Sequence, residues 1–169
     1  MDQDGSNMGV YGQLFAADGS PEGDEIRFHS YTLESQGNFR MAGGPSNGFT
    51  TVWQSYESDG SHWGIAGRLF DESGAPVSDE FQINDRVDGE QGQPTITMLP
   101  DGRFIALYVS RVYGESAVDI FARLFDRDGS PLVDEYRINM FEPDHQIRPQ
   151  IATLGNGGFM VIWTSSGQD

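Results

Sequence analysis

Apolar positions follow two rhythms along this chain, and both return at one interval. Phe49-Thr50-Thr51-Val52-Trp53, Phe104-Ile105-Ala106-Leu107-Tyr108 and Phe159-Met160-Val161-Ile162-Trp163 are near-continuous apolar runs 55 residues apart, each just behind an Asn-Gly, Asp-Gly or Gly-Asn-Gly turn. A short run apolar at almost every position predicts a strand buried on both faces. The second rhythm alternates. It occupies Gly9–Phe15, Gly64–Phe70 and Asp119–Phe125, each followed by a Gly-containing turn and a returning segment that starts with Asp-Glu at Asp24-Glu25, Asp79-Glu80 or Asp134-Glu135. Alternating runs flanking a Gly turn predict β-hairpins.

Ahead of each apolar run stands a further short strand, Phe39-Arg40-Met41-Ala42, Pro94-Thr95-Ile96-Thr97 or Pro149-Gln150-Ile151-Ala152, entered through a polar loop that carries Gln36, Gln91 or Gln146. Each unit therefore holds four strands: A (Pro-x-Ile-x), B (the apolar run), C (ending Leu-Phe) and D (Asp-Glu-apolar). Along the chain they run C-D-A-B three times. Residues 1–169 form one repeat domain with units near 9–63, 64–118 and 119–169, residues 1–8 completing the cut repeat. A period of this length is the signature of propellers, solenoids and arrays. The doubly buried B strand favours an all-β propeller of four-stranded blades. A β-trefoil, also three units of four strands, is the alternative. Three blades are too few to close a ring, because natural propellers have about four to eight. The expectation is therefore a homodimer closing a six-bladed ring, with two blades made of A-B from one chain and C-D from the other.

Composition narrows the partners. The 169 residues carry 26 acidic and 10 basic side chains, a net charge of −16, and every basic residue is Arg. Such a chain repels phosphate backbones, so no nucleic-acid partner is expected. With no Cys there is neither a disulfide framework nor a thiolate metal site. No apolar run approaches the ~18 residues of a membrane span, and Met1-Asp2-Gln3-Asp4-Gly5 does not read as a signal peptide.

The string Gly158-Phe159-Met160-Val161-Ile162-Trp163-Thr164-Ser165, continued in the next unit's phase by Gln3-Asp4-Gly5-Ser6, Tyr11-Gly12-Gln13-Leu14-Phe15 and Asp18-Gly19, resembles tandem repeats of very large secreted bacterial calcium-dependent (RTX-type) adhesins and hemolysin-like surface proteins. The likeness covers nearly the whole chain, although unit one has Ala16-Ala17 where the others have Asp71 and Asp126. It implies an extracellular, bacterial cell-surface, non-enzymatic module.

In a propeller the B–C and D–A loops share one face, the usual ligand face. Here that face would gather Asp4, Asp59, His62, Trp63, Tyr113 and Glu115 from B–C loops with Glu34, Asp88, Glu90, Asp144 and His145 from D–A loops. Carboxylates accept from sugar hydroxyls and aromatic faces stack on sugar C–H groups, so a glycan is one candidate ligand and a surface protein another. A solvated acidic rim accounts for the same residues. Asp71, Asp126 and Asp128, in the C–D turns, are candidate calcium ligands, since alternating acids can surround a hard cation; apart from that possible Ca²⁺ no cofactor is expected. A turn in which Asp bonds its own backbone explains them equally. One member of each Asp-Glu pair is expected to meet Arg68 or Arg123 on strand C. His29, His62 and His145 lie at unrelated phases and no Ser sits in a nucleophile elbow, so an enzyme is not expected; a carboxylate-based glycosidase is the catalytic alternative.

Overall fold

The computed structural model of the chain describes residues 8–30, 35–44, 48–111, 117–140 and 144–168, which hold twelve β-strands and no helix. They fall into four antiparallel sheets. Sheet I is the hairpin β1 (Tyr11–Phe15) and β2 (Pro21–Arg27). Sheet II is a meander of β3 (Gln36–Gly43), β4 (Phe49–Tyr56), β5 (Trp63–Phe70) and β6 (Phe81–Gln82). Sheet III repeats it with β7 (Glu90–Met98), β8 (Phe104–Arg111), β9 (Asp119–Phe125) and β10 (Tyr136–Arg137). Sheet IV is β11 (Gln146–Thr153) and β12 (Phe159–Ser165). Sheets II and III thus carry the full A-B-C-D order, sheet I only C-D and sheet IV only A-B.

The strands differ from expectation in two respects. Strand D shrinks to two residues in sheets II and III, leaving Asp79-Glu80 and Asp134-Glu135 outside the ladder. In sheet II the Ser78 hydroxyl accepts the Leu69 amide at 3.1 Å, so a side chain takes the place of a ladder carbonyl. Strand A begins three or four residues earlier than its Pro-x-Ile signature and contains a bulge, between Gly37 and Arg40, Gly92 and Thr95, or Ile147 and Gln150. At each bulge a non-glycine residue takes positive φ: Asn38 at 50°, Gln93 at 51°, Arg148 at 56°. Bulges of this kind re-aim a side chain.

The sheets pack face to face, with the A strands side by side: β3 against β7, and β7 against β11. Between sheets II and III the core is Val52, Ile65 and Ile83 against Ile96, Phe104, Ala106, Tyr108 and Phe125. Phe104 and Phe125 stack at 5.0 Å between centroids. The same cluster recurs one period later between sheets III and IV and one period earlier between sheets I and II. The C–D turn of each full sheet nests on the sheet before it. At Gly129 (φ 86°) a Cβ would lie 2.8 Å from the Phe81 ring, so both the turn and the close approach call for glycine.

Polar latches also repeat with the period. Glu135 accepts from the Asp85 and Arg86 amides at 2.9 and 3.0 Å and from the Tyr108 hydroxyl, tying sheet III to the end of sheet II. Glu80 accepts the Ser30 hydroxyl at 2.8 Å one period earlier. Burial, with the Glu135 hydrogen bond second, pushes the Tyr108 phenol far above its ordinary value. Arg68 and Arg123 do not take the expected partner. Their guanidinium groups donate to the Phe28 and Ile83 carbonyls of the preceding sheet at 3.4 and 3.3 Å, and Arg123 pairs with Asp85 at 3.3 Å. The Glu of each pair is instead engaged by the preceding sheet, Glu80 by Ser30 and Glu135 by the Asp85 and Arg86 amides.

Candidate functional site: an amide and guanidinium cleft beside the A strands

The bulges place Asn38, Gln93 and Arg148 at equivalent points on the three neighbouring A strands, and two adjoining clefts open there. The first, of about 420 Å³, reaches from Asn38 and Gln93 out to Trp63, Glu90, Arg111 and His145. The second, of about 440 Å³, is bounded by Asn38, Arg40, Gln93 and Arg148. Carboxamides cross-link the floor. Asn38 Nδ2 donates to Gln54 Oε1, Gln54 Nε2 to the Gln91 carbonyl at 3.3 Å, and the Arg148 amide to Gln93 Oε1 at 2.7 Å. Gly92 makes room for this, since a Cβ there would meet Gln54 Nε2 at 2.9 Å.

Among the described residues lining the two clefts, Glu90 carries the only carboxylate, and it sits 4.0 Å from Arg111. In a chain of net charge −16, three of the ten arginines, Arg40, Arg111 and Arg148, are thus gathered at this spot. Among the described residues, the polar lining of the two clefts is thus mainly amide and guanidinium, with one indole and one carboxylate. The cleft can donate to hydroxyl and carboxylate oxygens from fixed positions and present one aromatic ring.

Of the residues singled out from the sequence, Trp63, Glu90 and His145 meet in the first cleft. Trp63 is the first residue of β5 rather than a loop residue, half-buried and edge-on to Tyr56 at 5.2 Å. His62 is exposed and stands edge-on to Tyr56 at 5.9 Å. Asp59 holds local structure: its carboxylate accepts the Ser61 amide and Asn84 Nδ2, both at 3.0 Å. Asp88 and Asp144 are exposed outside the two clefts. Asp4, Glu34, Tyr113 and Glu115 lie outside the described residues. Asn38, Gln54, Gln93 and Arg148 were missed. Their signal was present: 38, 93 and 148 share one phase, two residues after Gln36, Gln91 and Gln146.

The candidate calcium ligands are occupied by their own turns. Asp71 Oδ1 accepts the Ser73 amide, the Ser73 hydroxyl and the Ala75 amide at 2.9, 2.7 and 3.0 Å, and Asp128 Oδ1 accepts the Ser130 amide and hydroxyl at 2.9 and 2.5 Å. Asp126 accepts the Arg127 amide at 2.9 Å. The serine hydroxyl bonds, above all, hold the Asp71 and Asp128 carboxyls below their ordinary range. Among the described residues no three acidic or histidine side chains converge as metal ligands.

No protein-family model matches the chain, and no curated protein matches it. Among solved structures, the chain is similar to an endo-arabinase from Bacteroides thetaiotaomicron VPI-5482, with a TM-score of 0.48 and 11% identity, covering 79% of this chain and 52% of that one. The chain thus spans about half the length of that structure, and a likeness at this level decides nothing about activity.

Proposed function

We propose that this chain is a segment of a β-propeller acting as a non-enzymatic, extracellular binding module of the adhesin type, and that its ligand is an acidic or hydroxyl-rich glycan held in the cleft beside the A strands. Three features support propeller blades over a trefoil: single-layer four-stranded meanders, face-to-face packing, and adjacent A strands. The observation that carries the binding reading is the lining itself. Asn38, Gln93, Arg40, Arg148 and Arg111 concentrate donors, with Trp63 beside them, in a protein whose overall charge is strongly negative. Guanidinium groups match carboxylates in fork geometry, and carboxamides both donate to and accept from hydroxyls. A glycosidase would need two carboxylates facing one bond. The described lining has Glu90 alone, next to Arg111.

Titration against neutral and uronic-acid-containing oligosaccharides tests this. The expected result is selective binding of the acidic series without turnover, weakened at least about tenfold by Trp63→Ala or Arg148→Ala. Indifference to both substitutions, or hydrolysis of the sugar, would overturn it.

A further inference from the structure

The A–B turns of sheets II, III and IV are closed by one and the same bond: the Gly44 amide donates to the Gly48 carbonyl, Leu99 to Arg103 and Leu154 to Gly158, each at 2.7 Å. The turns differ in what they present. Leu99 is a buried side chain, and its equivalent one period earlier is Gly44, where an added Cβ would stand 3.4 Å from Met98 Cε of the next sheet. Where the other two turns carry a leucine this one carries none, and a cavity of about 500 Å³ lies there between sheets II and III. That volume is in the range of small-molecule sites. Phe49, Leu69, Val77 and Met98 supply its apolar walls, and Val77 is 62% exposed. The flexible thioether of Met98 adapts to the shape of an occupant. The cavity is remote from the two clefts, because β3 starts beside Asn38 and ends beside Gly44.

A second departure from the repeat meets the first. Arg127, in the C–D turn of sheet III, stands where the earlier turns have Glu72 and Ala17, and it lines the same cavity. Gly102 makes room for it, since a Cβ there would come within 3.2 Å of Arg127 Nε. Arg127 is exposed, and among the described residues its guanidinium has no hydrogen-bond or ion-pair partner. Both acids of the lining are engaged elsewhere: Asp101 pairs with Arg103 at 2.7 Å, and Asp71 accepts from its own turn. They keep their charge. The lining thus offers one cation to a ligand and repels a second negative charge.

We propose that this cavity binds a small molecule with an aliphatic body and a single carboxylate, the body against Phe49, Leu69, Val77 and Met98 and the carboxylate on Arg127. Burial of the aliphatic part supplies affinity, and the guanidinium fork matches the carboxylate. Asp71 and Asp101 discriminate against a second carboxylate. The site is separate from the glycan clefts, and either reading can fail without the other.

Calorimetric titration of the whole chain with octanoate, octan-1-ol and the dicarboxylate suberate tests this. Octanoate is expected to bind at one site, with octan-1-ol and suberate each at least about tenfold weaker. In methyl-labelled protein the Met98 methyl resonance should move as octanoate is added. Gly44→Leu installs the side chain that the other two turns carry, at a residue without positive φ, and should abolish binding. Arg127→Gln, on an exposed turn, should remove the preference for octanoate while leaving octan-1-ol binding unchanged. No octanoate binding, equal binding of octanoate and octan-1-ol, undiminished binding by Gly44→Leu or an unmoved Met98 methyl would each overturn the proposal.

Discussion

Strands β8 and β12 carry the same apolar run one period apart, yet they live in different surroundings. Phe104, Ile105, Ala106, Leu107 and Tyr108 are all fully buried, whereas Phe159 to Trp163 alternate between half-buried and exposed. The difference is in what flanks them. β8 has a partner strand on each edge and a sheet on each face; β12 lacks one of each. Burial on both faces is thus a property of position in the stack and not of the apolar run alone.

That contrast is broken most sharply by truncating equivalent side chains. Leu107→Ala should cost about 2–5 kcal/mol in urea denaturation, because it opens a cavity in a closed core. Ile162→Ala should change the stability of the dilute single chain by less than about 0.5 kcal/mol. Equal effects would show that β12 is covered even in the monomer. Next in size is the latch at the inner junction. Glu135→Ala leaves the Asp85 and Arg86 amides and the Tyr108 hydroxyl without their acceptor, with an expected loss of about 2–3 kcal/mol in the same assay.

A smaller effect is expected where D-strand asparagines cap strand C. Asn84 Oδ1 accepts the Ile65 amide at 2.7 Å, and Asn139 Oδ1 the Ile120 amide at 2.8 Å. Asn84→Ala should cost about 1–3 kcal/mol, as the price of a buried amide left without its partner. The smallest effect is the pH response of the turns. Asp18, Asp71, Asp101 and Asp128 all have carboxyl groups held below their ordinary values, in each case mainly by a side-chain hydrogen bond, from Ser20, Ser73, Arg103 or Ser130. Their contribution is complete above the unfolded-state value near 3.9 and is lost as pH falls through the lowered folded values. Thermal melts should therefore be flat with respect to these groups from pH 7 to 5 and decline below about pH 4, and Ser73→Ala should reduce that decline slightly.

The repeat, its phase and the A-B-C-D order were legible because each strand carries a periodic apolar signature that local chemistry enforces. The C–D turns were legible for the same reason: Gly19, Gly74 and Gly129 all take positive φ at the turn. The length of strand D was not, because the Ser78 hydroxyl competes for a ladder amide and nothing in a β-propensity pattern signals that choice. The candidate site was half legible. Trp63, Glu90 and His145 were singled out by loop position, but Asn38, Gln93 and Arg148 reach the cleft only because a bulge turns each A strand at that residue.

The sequence by itself determined the all-β character, the 55-residue unit and the residue types that fill each inter-sheet core, since alternation, turn chemistry and apolar runs are properties of neighbouring residues. Only the tertiary structure decided which equivalent side chains are buried and that the described lining of the two clefts is mainly amide and guanidinium. Those outcomes depend on which sheet lies beside which, and identical local sequence cannot encode a difference in neighbours.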